Sequence, residues 1–153
     1  MERAAPETAD PIKLAAFDTE DLAVVSAHLQ DAVVRARDMA WLPKARRFAL
    51  VLGRFDWPGA AGGRCERRQS GLHIDHVRSV ASAGFDPKNG GTVLNLLSLG
   101  FAPGDAPAGS LTLTFSGGAA VRLDVDCIEL SLSDLGPSWP AAKQPGHPMA
   151  GGA

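Results

Sequence analysis

Residues 110–135, SLTLTFSGGAAVRLDVDCIELSLSDL, constrain the fold of this chain more than any other stretch. Leu111, Leu113 and Phe115 alternate with polar residues, and this period of two places every second side chain on one face of a β-strand. Two glycines follow at 117–118, and a glycine pair reaches the positive φ values that a tight hairpin turn requires. The segment therefore predicts a β-hairpin with one apolar and one polar face.

The return strand of this hairpin contains a change of parity. Its inward apolar positions are odd-numbered up to Cys127 and even-numbered from Ile128 onward. A one-residue shift of this kind is produced either by a β-bulge or by a bend that carries the chain elsewhere in the sheet. The sequence leaves both interpretations open.

Length and composition are those of one globular domain. Of the 153 residues, 45% are hydrophobic and 21% are charged, which is enough apolar material to bury a core. No apolar run approaches the ~20 residues of a membrane helix, and the first residues are acidic where a signal peptide needs a basic start. Two cysteines, Cys65 and Cys127, are too few for a disulfide framework. We therefore expect a cytoplasmic protein with both cysteines as thiols and no membrane partner.

The rest of the chain predicts an antiparallel domain with one early helix. Residues 1–10 are expected to form a disordered leader, 11–136 a single domain, and 137–153 a flexible tail rich in proline and glycine. Asp18 or Thr19 is expected to cap a helix near 19–30. The expected strands lie at 12–17, at 32–37 continued by 39–42, at 47–57, at 65–69 with 72–80 as a broken pair or one bent strand, and at 92–101 as the central strand.

Strand follows strand through turns, without the alternation of helices that a βαβ fold requires. The glycine-rich segment 58–63 is expected to be a loop. The predicted fold class is α+β, mainly β. About six to eight antiparallel strands would form a curved sheet or barrel, with the one short helix against its side or open end.

The basic residues are concentrated in one stretch. Residues 35–78 carry ten basic residues against four acidic ones, although the net charge of the chain is −2. Arginine makes bidentate contacts with phosphate or carboxylate, and the aromatic residues interleaved with it could stack on bases. The same arginines could instead pair with the acidic N-terminal helix, within one chain or between two. The pI of about 6.0 is low for a nucleic-acid-binding domain. The candidate binding residues are Arg46, Arg47, Arg54, Trp57, Arg67 and Arg68.

Other chemistry-bearing residues form no recognised motif. His73 and His76 would point to opposite faces of one strand, and neither cysteine belongs to a CxxC motif. Asp124, Asp126 and Glu129 could do acid–base work or hold a cation, but they fit the solvated face of a hairpin better. Nucleophile and phosphate-loop signatures are missing. We therefore expect no catalytic residue, no metal site and no cofactor. Whether the protein is an enzyme stays open, with a non-enzymatic protein favoured.

Similarity to a known family is carried by five segments, which read DLAVVSAHLQDAVV, AWLPKARRFALVLGRFDW, SGLHIDHVRSV, TVLNLLSLGF and LTLTFSGGAAVRLDVDCIELSLSDLGPSW. Together they resemble the DUF2948 family, a group of uncharacterised proteins found mainly in alphaproteobacteria, over roughly residues 12–139. The resemblance implies a bacterial, soluble, cytoplasmic protein. It transfers no catalytic or binding residue, because none is established for the family.

Three functions from different classes are compatible with the sequence. The favoured one is a small non-enzymatic interaction or regulatory module, with an unknown protein partner or with self-association through an exposed strand edge. The second is a nucleic-acid-binding module that uses the basic stretch 35–78. The third is a small-ligand carrier or enzyme whose site forms only in the folded state, in the mouth of the barrel.

Overall fold

The computed structural model describes residues 11–63 and 65–141, which form ten β-strands and two α-helices. The strands are β1 (Lys13–Ala16), β2 (Ala32–Arg35), β3 (Met39–Leu42), β4 (Arg47–Phe55), β5 (Glu66–Ile74), β6 (Val77–Ala83), β7 (Val93–Pro103), β8 (Gly109–Phe115), β9 (Ala120–Val125) and β10 (Leu130–Pro140). The helices are α1 (Thr19–Leu29) and α2 (Trp57–Ala61), and short 3-10 turns occupy Ala36–Asp38 and Ser116–Gly118. Neither helix of the described part has the length and apolar character needed to span a bilayer.

All ten strands belong to one antiparallel sheet in the order β1-β10-β5-β4-β2-β7-β8-β9-β6, with β3 paired to β4 off this path. This confirms the predicted mainly β, antiparallel architecture, and β7, which was expected to be the central strand, lies next to the middle strand β2. The predicted number of six to eight strands was too low. The 3-10 turn at Ala36–Asp38 divides the strand expected at 32–42, and a break at His76, which has a φ of 59°, separates β5 from β6.

The prediction of a barrel was wrong, because the sheet is open. In the described part of the chain, the path of paired strands ends at β1 and at β6, and β3 pairs only with β4. Met39 and Trp41 on β3 and Val80 and Ser82 on β6 line one apolar cavity of about 150 Å³. Of the two predicted forms, a curved sheet or a barrel, the chain therefore adopts the curved sheet.

The sheet curves so that the two halves of one face pack against each other. Leu50, Leu72 and Leu132 from β4, β5 and β10 join Leu113 and Leu123 from β8 and β9 in a single apolar cluster. Burying each such leucine side chain stabilises the fold by about 1.5–3 kcal/mol. The inside of the curve is consequently filled by the core, and the opposite face of the sheet is left towards solvent.

The hairpin of β8 and β9 forms as predicted, with φ values of 75° at Gly117 and 81° at Gly118. The parity change after Cys127 reflects a bend rather than a bulge. β9 ends at Val125, and β10 begins at Leu130 on the other side of the core, between β1 and β5. Of the two open interpretations, the transfer to another part of the sheet is the one that the structure adopts.

The first helix begins where the sequence places it. The carboxylate of Asp18 accepts a hydrogen bond from the Asp21 amide at 2.7 Å, which satisfies one of the unpaired donors of the first turn. The second helix, α2, was missed, because 58–63 was expected to be a loop. Asp56 caps it by accepting from the Gly59 amide at 3.0 Å, and Pro58 lies in the first turn, where its missing N–H breaks no helical hydrogen bond.

The leader predicted for 1–10 lies outside the described residues, as do residues 142–153 of the predicted tail. β10 continues to Pro140, so this strand extends past residue 136, where the domain was predicted to end. The register of β10 against β5 shifts between Asp134 and Ser138, and beyond this irregularity Trp139 pairs with Arg67.

Candidate interaction surface

Two of the six predicted binding residues, Arg54 and Arg68, lie inside the fold, with 1% and 3% of their surface exposed. Arg54 donates from Nε to Asp134 Oδ1 at 2.8 Å and from its terminal nitrogen to Oδ2 at 2.7 Å. The same carboxylate accepts from the Ser70 hydroxyl at 2.7 Å and from the Ile12 amide at 2.8 Å. Burial alone would raise the pKa of Asp134, but these hydrogen bonds lower it below its ordinary value. The cluster joins β4, β5, β10 and the residue that precedes β1 as a structural unit.

Two further predicted residues, Arg46 and Arg47, lie at the start of β4 and contact carboxylates of this chain. Arg46 is 2.7 Å from Asp126, and Arg47 donates from Nε to Asp75 at 2.7 Å. Both arginines are partly exposed, so these ion pairs contribute little to stability. They nevertheless neutralise the charge that the prediction assigned to ligand binding. Another basic residue of the stretch, Arg64, lies outside the described residues.

The remaining two predicted residues, Trp57 and Arg67, both lie beside the Phe55 ring. The indole of Trp57 packs edge-on against Phe55 with 4.7 Å between ring centroids, and its Nε1 donates to the Gln30 carbonyl at 2.8 Å. Arg67 stands 5.7 Å over the Phe55 ring and donates to the Gly53 carbonyl at 3.1 Å. The structure therefore distributes the six predicted residues over the interior, the start of β4, α2 and the solvent face of β5.

The two histidines weighed as metal ligands each face a carboxylate. His73 Nδ1 lies 3.4 Å from Asp75, and His76 Nε2 lies 2.7 Å from Glu129. Within residues 11–63 and 65–141, no group of three or more histidine, cysteine, aspartate or glutamate side chains is arranged to hold a metal ion. Each histidine thus lies beside a carboxylate of this chain near the turn between β5 and β6.

The two cysteines are free thiols. Cys65 is exposed, whereas Cys127 is half-buried in the turn that follows β9. Burial, followed by the nearby charges of Glu129 and Asp126, raises the pKa of the Cys127 thiol above its ordinary value. A raised pKa lowers the thiolate population, which makes Cys127 a poor nucleophile at neutral pH.

The carboxylates of the hairpin have separate neighbours. Hydrogen bonds from the Ser79 and Ser110 hydroxyls, at 2.9 and 3.1 Å, lower the pKa of Asp124. Asp126 contacts Arg46 and, at 3.3 Å, Arg78. Asp124 is thus held by side chains of β6 and β8, whereas Asp126 contacts Arg78 of β6 and Arg46, the residue before β4.

A groove crosses the face of the sheet opposite the core, and we call it the outer groove. Its first part has a volume of about 480 Å³. Ala49 and Val51 of β4 and Gly71 of β5 form its floor, and Leu42 of β3 and Leu135 of β10 line its sides. Small residues at outward positions of adjacent strands leave this space, because longer side chains there would fill it.

The second part of the outer groove has a volume of about 370 Å³ and begins at Val51 and Asp38, which line both parts. Arg35, Arg67 and Trp139 line it. The groove therefore has a mainly apolar half and a half that carries arginine and tryptophan.

Two glycines set how closely side chains approach the floor of the outer groove. A Cβ added at Gly71 would lie 3.3 Å from the Leu135 side chain, and one added at Gly53 would lie 3.7 Å from the Trp139 ring. Glycine inside a strand often marks such a close approach. Leu135 and Trp139 therefore lie against the two glycines, and part of each side chain stays exposed.

Large apolar side chains remain exposed around the outer groove. Leu42, Leu135 and Trp139 are 43%, 56% and 43% exposed, and Val93 is 56% exposed on β7, directly opposite Arg35 of β2. These are four of the six large exposed hydrophobic residues in the described part of the chain. An apolar patch with polar residues at its rim is typical of an interaction surface.

The sequence indicated Arg67 but missed the residues that form the outer groove. Leu42 and Leu135 were read as strand residues, and Trp139 was assigned to a flexible tail. A usable signal existed in the small residues Ala49 and Gly71, which occupy outward positions of two strands. That signal has meaning only once the pairing of β4 with β5 is known.

Comparison with known proteins identifies a family without an assigned activity. The family model described as "Protein of unknown function (DUF2948)" matches residues 12–147, nearly the whole chain. No curated protein and no solved structure matches the chain.

Proposed function

The chain belongs to the DUF2948 family of proteins of unknown function, and we propose that it is a small non-enzymatic interaction module that binds a segment of a partner protein in its outer groove. The observation that carries this proposal is the set of exposed apolar side chains around the groove, on the face opposite the core. Leaving Leu42, Leu135 and Trp139 in water costs hydrophobic free energy, which a docked segment would recover.

The shape of the outer groove suits an extended peptide. Its floor of alanine, valine and glycine lets a backbone come close to the sheet, and its two parts meet at Val51 and Asp38. Each part falls within the ~300–1,000 Å³ typical of ligand sites. Apolar side chains of the segment would contact Leu42 and Leu135, as anchors do in other peptide-binding grooves.

An interaction module agrees better with the interior of the fold than an enzyme or a small-ligand carrier does. The apolar cluster fills the inside of the curved sheet, where the third hypothesis requires a site. The buried pair of Arg54 and Asp134 is hydrogen-bonded within the fold, which favours a structural role. We also place the protein in a bacterial cytoplasm, since free thiols persist in a reducing compartment.

The nucleic-acid alternative has less support from the geometry. It relies on arginines that act together on one surface, whereas Arg54 and Arg68 lie in the interior and Arg46 contacts Asp126. The binding experiments would reveal nucleic-acid binding if it occurs.

The test is a selection of phage-displayed random peptides against the wild-type protein, followed by affinity measurements on two variants. Gly71→Val places two methyl groups in the floor of the outer groove and points away from the core. Gly100→Val is the matched control, because a Cβ there has no neighbour among the described residues within 4 Å. We expect selected peptides to bind the control as they bind the wild type, and Gly71→Val at least about tenfold more weakly. Equal binding to both variants, or failure to select any peptide, would contradict the proposal.

A further inference from the structure

The charges of the outer groove indicate what kind of segment it binds, and this step rests on the proposed function. We propose that the partner segment is acidic: a carboxylate docks at Arg35, with Arg67 beside it, and apolar residues of the same segment contact Leu42 and Leu135.

Arg35 supplies a positive charge to the second part of the outer groove. It is exposed in β2 and lines the second part of the outer groove. Within the described part of the chain, its guanidinium makes no hydrogen bond or ion pair. Its cross-strand neighbour Val93 is exposed as well, so a positive charge stands directly beside an apolar side chain. A carboxylate flanked by apolar residues complements that pair of neighbours.

Arg67 adds a second positive charge to the part of the outer groove that Arg35 lines. One terminal nitrogen donates to the carbonyl oxygens of Gly53 and Asp31, at 3.1 and 3.3 Å, which holds the guanidinium in place. Arginine has five N–H donors, so others remain for an incoming acceptor. Burial lowers the pKa of Arg67 and the charge of Asp31 raises it, and arginine keeps its charge at neutral pH.

The distribution of charge favours a peptide over a nucleic acid. The acidic side chain that lines the outer groove is Asp38, at the junction of its two parts. Beyond that junction the lining is mainly apolar, and Arg47 there is 2.7 Å from Asp75. A nucleic acid carries one phosphate per nucleotide and needs cations along its whole path. A segment with a carboxylate at one end would place that carboxylate at Arg35 and Arg67. Its apolar residues would then lie along the mainly apolar part of the outer groove.

The experiment compares the peptides that three proteins select from one phage-displayed random library. They are the wild type, Arg35→Gln and the control Arg122→Gln, which removes an exposed arginine of β9 on the other half of the sheet. We expect aspartate and glutamate next to apolar residues in the peptides that the wild type and the control select, and loss of that enrichment with Arg35→Gln. A selected peptide with its acid changed to the amide should bind the wild type at least about tenfold more weakly.

The outcomes separate this inference from the proposed function. Neutral or basic peptides that still depend on Gly71 would overturn the acidic partner while the outer groove stays a docking site. A failure to select any peptide would overturn both. Tighter binding of labelled oligothymidylate than of any peptide, with dependence on Arg35, would overturn the peptide in favour of nucleic acid.

Discussion

Arg54 and Asp134 form a two-bond ion pair across a strand that lies between them. Arg54 is on β4 and Asp134 on β10, and β5 separates these strands in the sheet. The bonds are 2.8 and 2.7 Å long, and both side chains are almost completely buried. Ser70 of β5 donates to the same carboxylate at 2.7 Å, so three strands meet at one acceptor. Four donors satisfy Asp134, and this offsets the cost of burying its charge.

Replacing Asp134 should be strongly destabilising. Asp134→Asn keeps the size of the side chain but leaves the guanidinium of Arg54 buried without a counter-charge. Breaking a buried pair from one side costs about 3–5 kcal/mol of unfolding free energy. The matched control is Asp126→Asn, which removes an equally short but exposed contact to Arg46 and should cost less than about 1 kcal/mol. Urea denaturation of both variants measures this, and equal losses would show that burial does not decide the outcome.

Protonation of Asp134 should lower the unfolding free energy at acidic pH. The hydrogen bonds that overcome burial place its folded pKa below the ordinary value of 3.8. The resulting stability is therefore fully present above pH 3.8 and is lost as the pH falls through the folded pKa. Ser70→Ala removes one of these hydrogen bonds, so its unfolding free energy should decline less steeply below that pH. Identical pH profiles for Ser70→Ala and the wild type would refute this explanation.

His28 should titrate below its ordinary value of 6.5. Burial, and then the positive charge of Arg54, lower the pKa of His28, while Asp134 and Asp56 oppose the shift. Because the folded pKa is depressed, the stabilising contribution is present above pH 6.5 and is lost as the pH falls through the folded pKa. His28→Gln should flatten the stability profile in this range. An NMR midpoint for the His28 ring at or above 6.5 would be incompatible with this environment.

Two glycines of the second half of the sheet should respond very differently to alanine. Gly84 has a φ of 81°, and a Cβ there would lie 2.2 Å from the Gly118 carbonyl oxygen. Since the obstacle is backbone, Gly84→Ala should cost at least about 2 kcal/mol of unfolding free energy. Gly100→Ala, with open space around the new Cβ, should stay within about 0.5 kcal/mol of the wild type. Thermal unfolding of both variants tests whether the Gly118 backbone lies close enough to Gly84 to exclude a Cβ.

Local sequence patterns predicted the local structure well. The alternation at 111–115, the glycine pair at 117–118 and the cap at Asp18 each depend on neighbouring residues, and each is present in the structure. The helix α2 was missed because glycine and proline in 58–63 indicate a turn by composition, whereas the carboxylate of Asp56 supplies a cap.

Long-range arrangement was less accessible to sequence reasoning. Arg54 reads as a surface residue until Asp134, eighty positions away in sequence, is placed beside it. The open sheet depends likewise on which strand edges stay unpaired at its ends, which no local period encodes. The outer groove requires the register that brings Val51 opposite Gly71.

The most direct test of the outer groove is an amide chemical-shift map of isotopically labelled protein with a selected peptide. We predict that the perturbed amides belong to Ala49, Val51, Gly53 and Gly71, on the face opposite the core. The amides of Arg122 and Asp124 on β9 should stay in place. Perturbations confined to β6 and β9, with the amides of the outer groove unchanged, would contradict the assignment of this face as the docking surface.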